Sequence, residues 1–425
     1  MFYHSRWLHL FTAIVLVLTS FAVTAPPLTA QTGNVYTVTT TLDDEPGNCT
    51  MTPANCSLRQ AIESANSDGG PSTIEFVLPT GPTIITPTSE LPPLTDDGTT
   101  IDGSNSFTPA NLPTIEINGA GTLAYGIQIE SANNVIRGLI INNFNSTIAP
   151  NGVGIYITGS RAQNNRIWAN YMGNRPRDTA KYSNQRGIQI GNGASGTIIG
   201  GSISNSQERN TISGNDLSGI YLTGATNTQI QGNYIGLALN ANDVAVPLGN
   251  IGPGIEILDS SNSLVGGTAT GQRNLISDNG DSPTRGAGIL IRGVSTTGTQ
   301  VLGNYIGTSS NGLSAIPNNG DGIRIQNGAS NTVISSGNGL ARSVISGNTG
   351  YGIRISSAST SGNQLTNNYI GLGSMGNTAL PNLRGGVRIE DNASNNTVGI
   401  GNVISGNNGY GVSVGLTLPT ATEVV

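Results

Sequence analysis

The chain has 425 residues, a formal net charge of −6, 60 glycines and 10% charged residues. Glycine at about twice its usual share, with charge well below its own, argues against a helix-rich class; an acidic balance with Lys181 as the one lysine argues against general nucleic-acid binding. Length alone suggests two or three domains, but the repeats described below override that count, because a solenoid grows by adding coils.

Residues 1–30 carry Arg6, an apolar run from about Trp7 to Val23, and small residues at Ala25 and Ala30. This is the layout of a secretory signal peptide cut near residue 30. An uncleaved anchor is the alternative reading, for which the run is short. Export makes sense of Cys49 and Cys56, the only cysteines, which can pair in an oxidising compartment. Both histidines, His4 and His9, lie in the leader, so no metal site is expected in the mature chain. The expected location is secreted or cell-surface, with no membrane span after cleavage.

Residues 31–78 read as an N-terminal cap. Val35-Tyr36-Thr37-Val38 alternates like a strand, and the cysteine loop follows. From Ser57 to Asn66, Ser57 and Gln60 form a capping box, and Leu58, Ala61, Ile62 and Ala65 share one helical face. A helix here would cover the open end of a stacked fold, keeping its core dry and its strand edges from pairing with another molecule.

Cys56-Ser57-Leu58-Arg59-Gln60-Ala61-Ile62, preceded by Thr41-Leu42-Asp43-Asp44 and Cys49 and followed by Ile74-Glu75-Phe76, resembles the CSLREA-type N-terminal segment of exported bacterial right-handed parallel β-helix proteins. Gln60 stands where that segment usually has glutamate, an exchange that keeps the capping chemistry. The resemblance spans about residues 35–78; it implies right-handed coiling and no established activity.

Residues 79–415 are the repeats. Irregular first coils at 79–125 give way to ten copies of a Gly-Ile-x-Ile phrase, beginning at Gly126, Gly154, Gly187, Gly219, Gly254, Gly288, Gly322, Gly352, Gly386 and Gly411, 25 to 35 residues apart. Between them recur Asn-x-Ile-Ser-Gly-Asn and Gly-Asn-Tyr-Ile-Gly. Each phrase reads as a short strand: Ile-x-Ile places two branched residues on one face, and flanking Gly or Asn supplies turns. Stacked copies bury the isoleucines in continuous columns, each worth about 1.5–3 kcal/mol, with a rise of about 4.8 Å per coil. The expected fold is all-β: a right-handed parallel β-helix of ten or more coils with an N-terminal capping helix.

A second-order period appears in Tyr171, Tyr234, Tyr305 and Tyr369, 63 to 71 residues apart, each followed by a longer loop. Two coils therefore form one module, with loops emerging from one side on alternate coils and each tyrosine under its own loop. Residues 416–425 show no amphipathic cap, leaving two readings: a tail folded over the open end, or a point from which more chain continues.

Two sets of residues are candidates for binding an acidic polysaccharide or cell-surface glycan. The outward position of the Gly-Ile-x-Ile strand carries Arg324, Arg354 and Arg388 on consecutive copies, a like-charge column that suits a polyanion track or, equally, a solvated face relieved by Glu390 and Asp391. The stretch 161–186 holds Arg166, Trp168, Arg175, Arg177, Lys181 and Tyr182, which suit sugar stacking and carboxylate gripping or ordinary loop packing. A polysaccharide lyase or glycoside hydrolase needs clustered carboxylates. Asp96, Asp97, Asp102, Glu256 and Asp259 do not line up on neighbouring copies, and Lys181 or an arginine would have to serve as a lyase base. The expected function is thus a non-catalytic exported scaffold or adhesin-like module, the enzyme being the alternative. No cofactor is expected; Ca²⁺ enters only with a lyase.

Overall fold

The structure, a computed structural model, describes residues 33–43, 49, 55–79, 81–108, 111–146, 152–201, 208–281, 286–335, 339–415 and 423–424. Of the two units into which the chain divides, Met1–Thr32 and Gly33–Val425, the first lies outside the described residues. So do the leader, positions 50–54 of the cysteine loop and most of 416–425.

Gly33–Val425 is a right-handed parallel β-helix, coiling in the sense that parallel crossovers take. Among the described residues its strands form parallel sheets of 13, 11 and 10 strands. The Gly-Ile-x-Ile phrase builds the ten-stranded sheet, with Ile188, Ile220 and Ile255 in register. The second phrase builds the eleven-stranded sheet, with Thr211–Ile212, Tyr234–Ile235 and Leu275–Ile276 side by side. A third strand per coil, such as Arg166–Trp168 or Gln229–Gln231, builds the thirteen-stranded sheet; its first strand, Asn34–Val38, is expected, but those of the regular coils have no counterpart in the sequence reading.

The three long sheets face one core, and the hairpin at Leu237–Pro247 packs in a smaller cluster with Leu275, Tyr305 and Val344. The inward columns Ile188, Ile220, Ile255 and Ile190, Leu222, Ile257 meet Ile199, Ile230, Val265 and Ile212, Ile235, Ile276, all fully buried. The glycine ending Asn-Tyr-Ile-Gly is required by geometry: Gly236 has φ +84°, and a side chain there would run into the Ser277 carbonyl of the next coil.

At the N-terminal end, the helix Leu58–Ser67 has the expected capping box between Ser57 and Gln60. Leu58, Ala61, Ile62 and Ala65 are buried with Val38, Ile74 and Phe76 in the same core. Cys49 and Cys56 are joined in a disulfide.

The corners of the coil are held by asparagine ladders. In one, Asn184, Asn215, Asn250, Asn279, Asn318, Asn348, Asn382 and Asn407 each donate from the side-chain amide to the carboxamide oxygen of the next. A second runs through Asn170, Asn210, Asn233, Asn274 and Asn304. The repeated asparagines are thus an internal turn ladder that meets the demand of buried polar groups.

A third corner behaves differently. Thr197, Thr228, Ser263, Thr299 and Thr332 precede successive strands of the thirteen-stranded sheet, are buried, and have hydroxyls with no protein partner. Thr228→Val, which keeps the shape and removes the orphan hydroxyl, is expected to raise stability by about 1 kcal/mol, read as a shift in urea midpoint. A loss of similar size would show that the hydroxyl is hydrogen-bonded in solution.

Candidate functional site

The outer face of the eleven-stranded sheet presents Ile84, Glu116, Ile140, Tyr171, Thr211 and Tyr234 in register on consecutive coils. Alternation dictates this: their neighbours Ile85, Ile117, Ile141 and Met172 turn into the core. Segments 111–114 and 175–178 stand over this row and make a groove. Its first basin, 580 Å³, has Ile84, Ile140, Leu112 and Pro113 as apolar surface and Glu116, Arg175, Arg177 and Asp178 as polar groups. Its second, 300 Å³, shares Leu112 and Pro113 and is lined by Tyr171, Arg209, Thr211, Tyr234 and Asp243.

The polar groups are mostly paired with one another. Arg175 donates from Nε and Nη2 to Glu116 (2.6 and 3.0 Å) and lies 3.9 Å over the Tyr182 ring. The Tyr182 hydroxyl donates to Asp178, which also accepts from the Ala180 amide; these hydrogen bonds, the backbone one foremost, hold the Asp178 carboxyl below its usual range. Arg177 reaches from its loop to Asp243 on a hairpin two coils on, donating from Nε and Nη2 (2.9 and 2.7 Å). Arg209 differs. Its guanidinium lies 3.9 Å over Tyr234, its Nε is buried without a partner, and it makes no ion pair among the described residues. Tyr171 is buried beneath, and burial pushes its phenol above the ordinary value.

The arginine column exists: Arg324, Arg354 and Arg388 are in register on the ten-stranded sheet. Its charge is compensated, however. Arg324 is 5% exposed and held by Asp321, while Arg354 and Arg388 share Glu390. Burial would raise the Glu390 carboxyl, but hydrogen bonds and charge from Arg388 and Arg354 outweigh it and hold it low.

The 161–186 stretch is split rather than gathered. Twenty-six residues wrap most of a coil, so their side chains leave on different faces. Arg166 and Trp168 lie on the thirteen-stranded sheet, with Trp168 between Arg137 and Arg166, and Arg166 on Glu208. Arg175 and Arg177 line the groove, Tyr182 backs Arg175, and Lys181 donates to the Gly249 carbonyl. Of the carboxylates considered for catalysis, Asp96 has a buried Oδ2 without a partner among the described residues, and the others are engaged. Asp102 takes Arg137 and Ser104, Glu256 takes Arg292 and Ser218, Asp97 takes the Ala132 amide and Asp259 the Ser295 amide. Among the described residues no group of three or more His, Cys, Asp or Glu could hold a metal ion, and no helix is long and apolar enough to cross a membrane.

The tyrosines sit as expected on alternate coils. Hairpins follow Tyr234, Tyr305 and Tyr369, at Leu237–Pro247 and at the Thr308–Ala315 and Leu372–Ala379 bridges. Gly312 and Gly376 lie so close over the Tyr305 and Tyr369 rings that a side chain could not be added at either. What the sequence reading missed is the arginine on each ring, Arg209 on Tyr234, Arg273 on Tyr305 and Arg342 on Tyr369. The signal was available: an arginine stands directly before three of the four Asn-x-Ile-Ser or Ser-x-Ile-Ser phrases, the exception being Gly401 before Asn402-Val403-Ile404-Ser405.

No family model and no curated protein sequence matches the chain. Solved structures similar to it include the Dettilon tailspike protein (14% identity, TM-score 0.43, covering 92% of this chain and 68% of that one). Others are an alginate lyase from Paenibacillus sp. (13%, TM-score 0.41, covering 89% and 99%) and the catalytic domain of a GH87 α-1,3-glucanase (12%, TM-score 0.44, covering 87% and 68%). At these identities and TM-scores the likenesses carry no inference about what this chain binds or does.

Proposed function

We propose that the chain is a non-catalytic scaffold that binds a glycan in the groove over its eleven-stranded sheet. The observation that carries this is the pairing of apolar surface, Ile84, Ile140 and Leu112, with two bidentate arginine–carboxylate pairs, Arg175–Glu116 within the floor and Arg177–Asp243 beside it. Such a surface offers apolar contact to sugar rings together with fixed donors and acceptors for hydroxyls. Engagement of the groove's carboxylates, Glu116, Asp178 and Asp243, with arginine, tyrosine or backbone donors favours binding over acid–base chemistry there, which needs a carboxyl free to exchange a proton near neutral pH. Export through residues 1–30 to the outside or surface of a bacterial cell, as the CSLREA-type segment implies, belongs to the same reading.

The test is a screen of the purified chain against neutral and acidic polysaccharides, with and without Ca²⁺, measuring retention and any released reducing or unsaturated ends. Retention without products is expected. Ile84 is 45% exposed on the groove floor, so Ile84→Arg should abolish retention without disturbing the core, whereas Arg354→Ser with Arg388→Ser should not. Released products would overturn the scaffold reading in favour of a lyase or hydrolase.

A further inference from the structure

The second basin contains a guanidinium, that of Arg209, which makes no ion pair among the described residues. Each of the three ring-stacked arginines on alternate coils precedes the same phrase, yet their surroundings differ. Arg273 donates from Nε to the carbonyl of Gly303, two residues before its tyrosine. The equivalent carbonyl beside Arg209 is that of Gly232, and Arg209 does not bond to it; its Nε stays buried and unpartnered while the side chain lines the groove. The Tyr234 ring holds the guanidinium plane in place at 3.9 Å, so little side-chain freedom remains to be lost when a ligand arrives. A planar, fixed fork is the partner that a carboxylate fits best.

The neighbours narrow the ligand further. Asp243 lines the same basin and would repel a dense polyanion. The adjoining basin contributes Glu116 and Asp178 against Arg175 and Arg177, and so is neutral overall with an apolar floor. Between the basins runs the Arg177–Asp243 pair. Both of its side chains are about half exposed, and such pairs are weak and open readily.

We propose that the groove takes an extended glycan in which carboxylate-bearing sugars are interspersed with neutral ones, one carboxylate seating on Arg209 and neutral sugars on the Ile84–Ile140 floor. The Arg177–Asp243 pair is the strap across the groove: a carboxylate arriving at Arg209 repels Asp243, and the strap parts to let the chain lie continuously through both basins. This rests on the reading of the groove as a glycan site and adds the ligand's charge pattern and its anchoring residue.

The experiment measures binding of hyaluronan oligosaccharides, in which a uronate alternates with a neutral amino sugar, and of the same oligosaccharides after carboxyl reduction. Arg209→Gln is expected to weaken binding of the native oligosaccharide at least roughly tenfold while leaving the reduced form unaffected. Asp243→Asn, on an exposed hairpin where folding is not at stake, should strengthen native binding several-fold; Arg209→Lys, which keeps the charge and loses the fork, should fall between Gln and wild type. Equal affinity for both forms, unchanged in these variants, would overturn the anion seat while leaving the glycan reading intact. Uronate-selective binding that survives Arg209→Gln but is lost in Arg354→Ser with Arg388→Ser would place the ligand on the other sheet and overturn the proposal. Binding of neither form, nor of any glycan in the wider screen, would overturn the glycan reading itself.

Discussion

Asp43→Ala should destabilise the N-terminal cap by about 3–5 kcal/mol, the range for removing one partner of a buried ion pair. The Asp43 and Arg59 side chains are 3% and 10% exposed. Arg59 donates to both carboxylate oxygens (2.8 and 2.7 Å) and to the Ser89 and Glu90 carbonyls, and Thr88 donates to Asp43 from its amide and hydroxyl. The alanine variant would remove both of these carboxylate contacts from a guanidinium buried beside the core. Hydrogen exchange at the helix Leu58–Ser67 and the urea midpoint measure the effect; unchanged helix protection would show that the pair does not hold the cap. For comparison, Ser57→Ala removes only the N-cap bond and should cost about 1 kcal/mol.

The same pair makes the cap sensitive to acid. Burial would raise the Asp43 carboxyl, but hydrogen bonds from Arg59 and from the Thr88 amide and hydroxyl outweigh it and hold it below its ordinary value. Because the folded value is depressed, the contribution is fully present above the unfolded value of about 3.9 and is lost as pH falls through the folded one. The stability gap between wild type and Asp43→Ala should therefore be constant from neutral pH down to about pH 5 and close below about pH 4. A gap that widened on acidification would contradict this account.

Asn279→Ala should cost about 2–4 kcal/mol, because it breaks a continuous ladder in mid-run and leaves a small void. Asn279 donates from its side chain to the Ile235 and Ser277 carbonyls and to Asn318, and accepts from the Asn250 amide. Without it the Asn250 amide points at a buried space with no acceptor. The measurement is the urea midpoint together with exchange at the coils on either side. A cost confined to one coil would mean that the ladder is a set of separate caps; protection lost over several coils would mean that the rungs act together.

How much of this the sequence announces depends on how many residues carry each signal. The ten-stranded sheet is plain because Gly-Ile-x-Ile puts two branched residues on one face and repeats. The thirteen-stranded sheet shows itself at Asn34–Val38 and is silent in the regular coils, where its strands are two or three residues long with one inward side chain each, such as Ile167, Ile230 or Val301. One apolar residue has no periodicity. Arg59 and Asp43 stand in recognisable phrases, yet 16 residues of separation conceal that they are one contact. The groove was only half legible for a related reason. Arg175 and Arg177 stood out as charge in a basic stretch, whereas Glu116 and Asp243 come from coils 59 and 66 residues away, and only stacking brings them to the same surface. For the arginine column the register and the relief by Glu390 were both legible, whereas Asp321, on the flank of the column and not within it, was not.

The hairpins over alternate coils also touch one another, as where Ser374 donates from its amide and hydroxyl to the Gly312 and Asn311 carbonyls. That contact sets a unit of inheritance. Removing one coil would bring the tyrosine-bearing coils out of step with their hairpins and leave Ser374 facing a coil with no hairpin, whereas removing two would bring another hairpin beneath it. The chain can therefore lengthen or shorten by duplication and deletion only in double coils, and relatives of different size should differ by whole pairs.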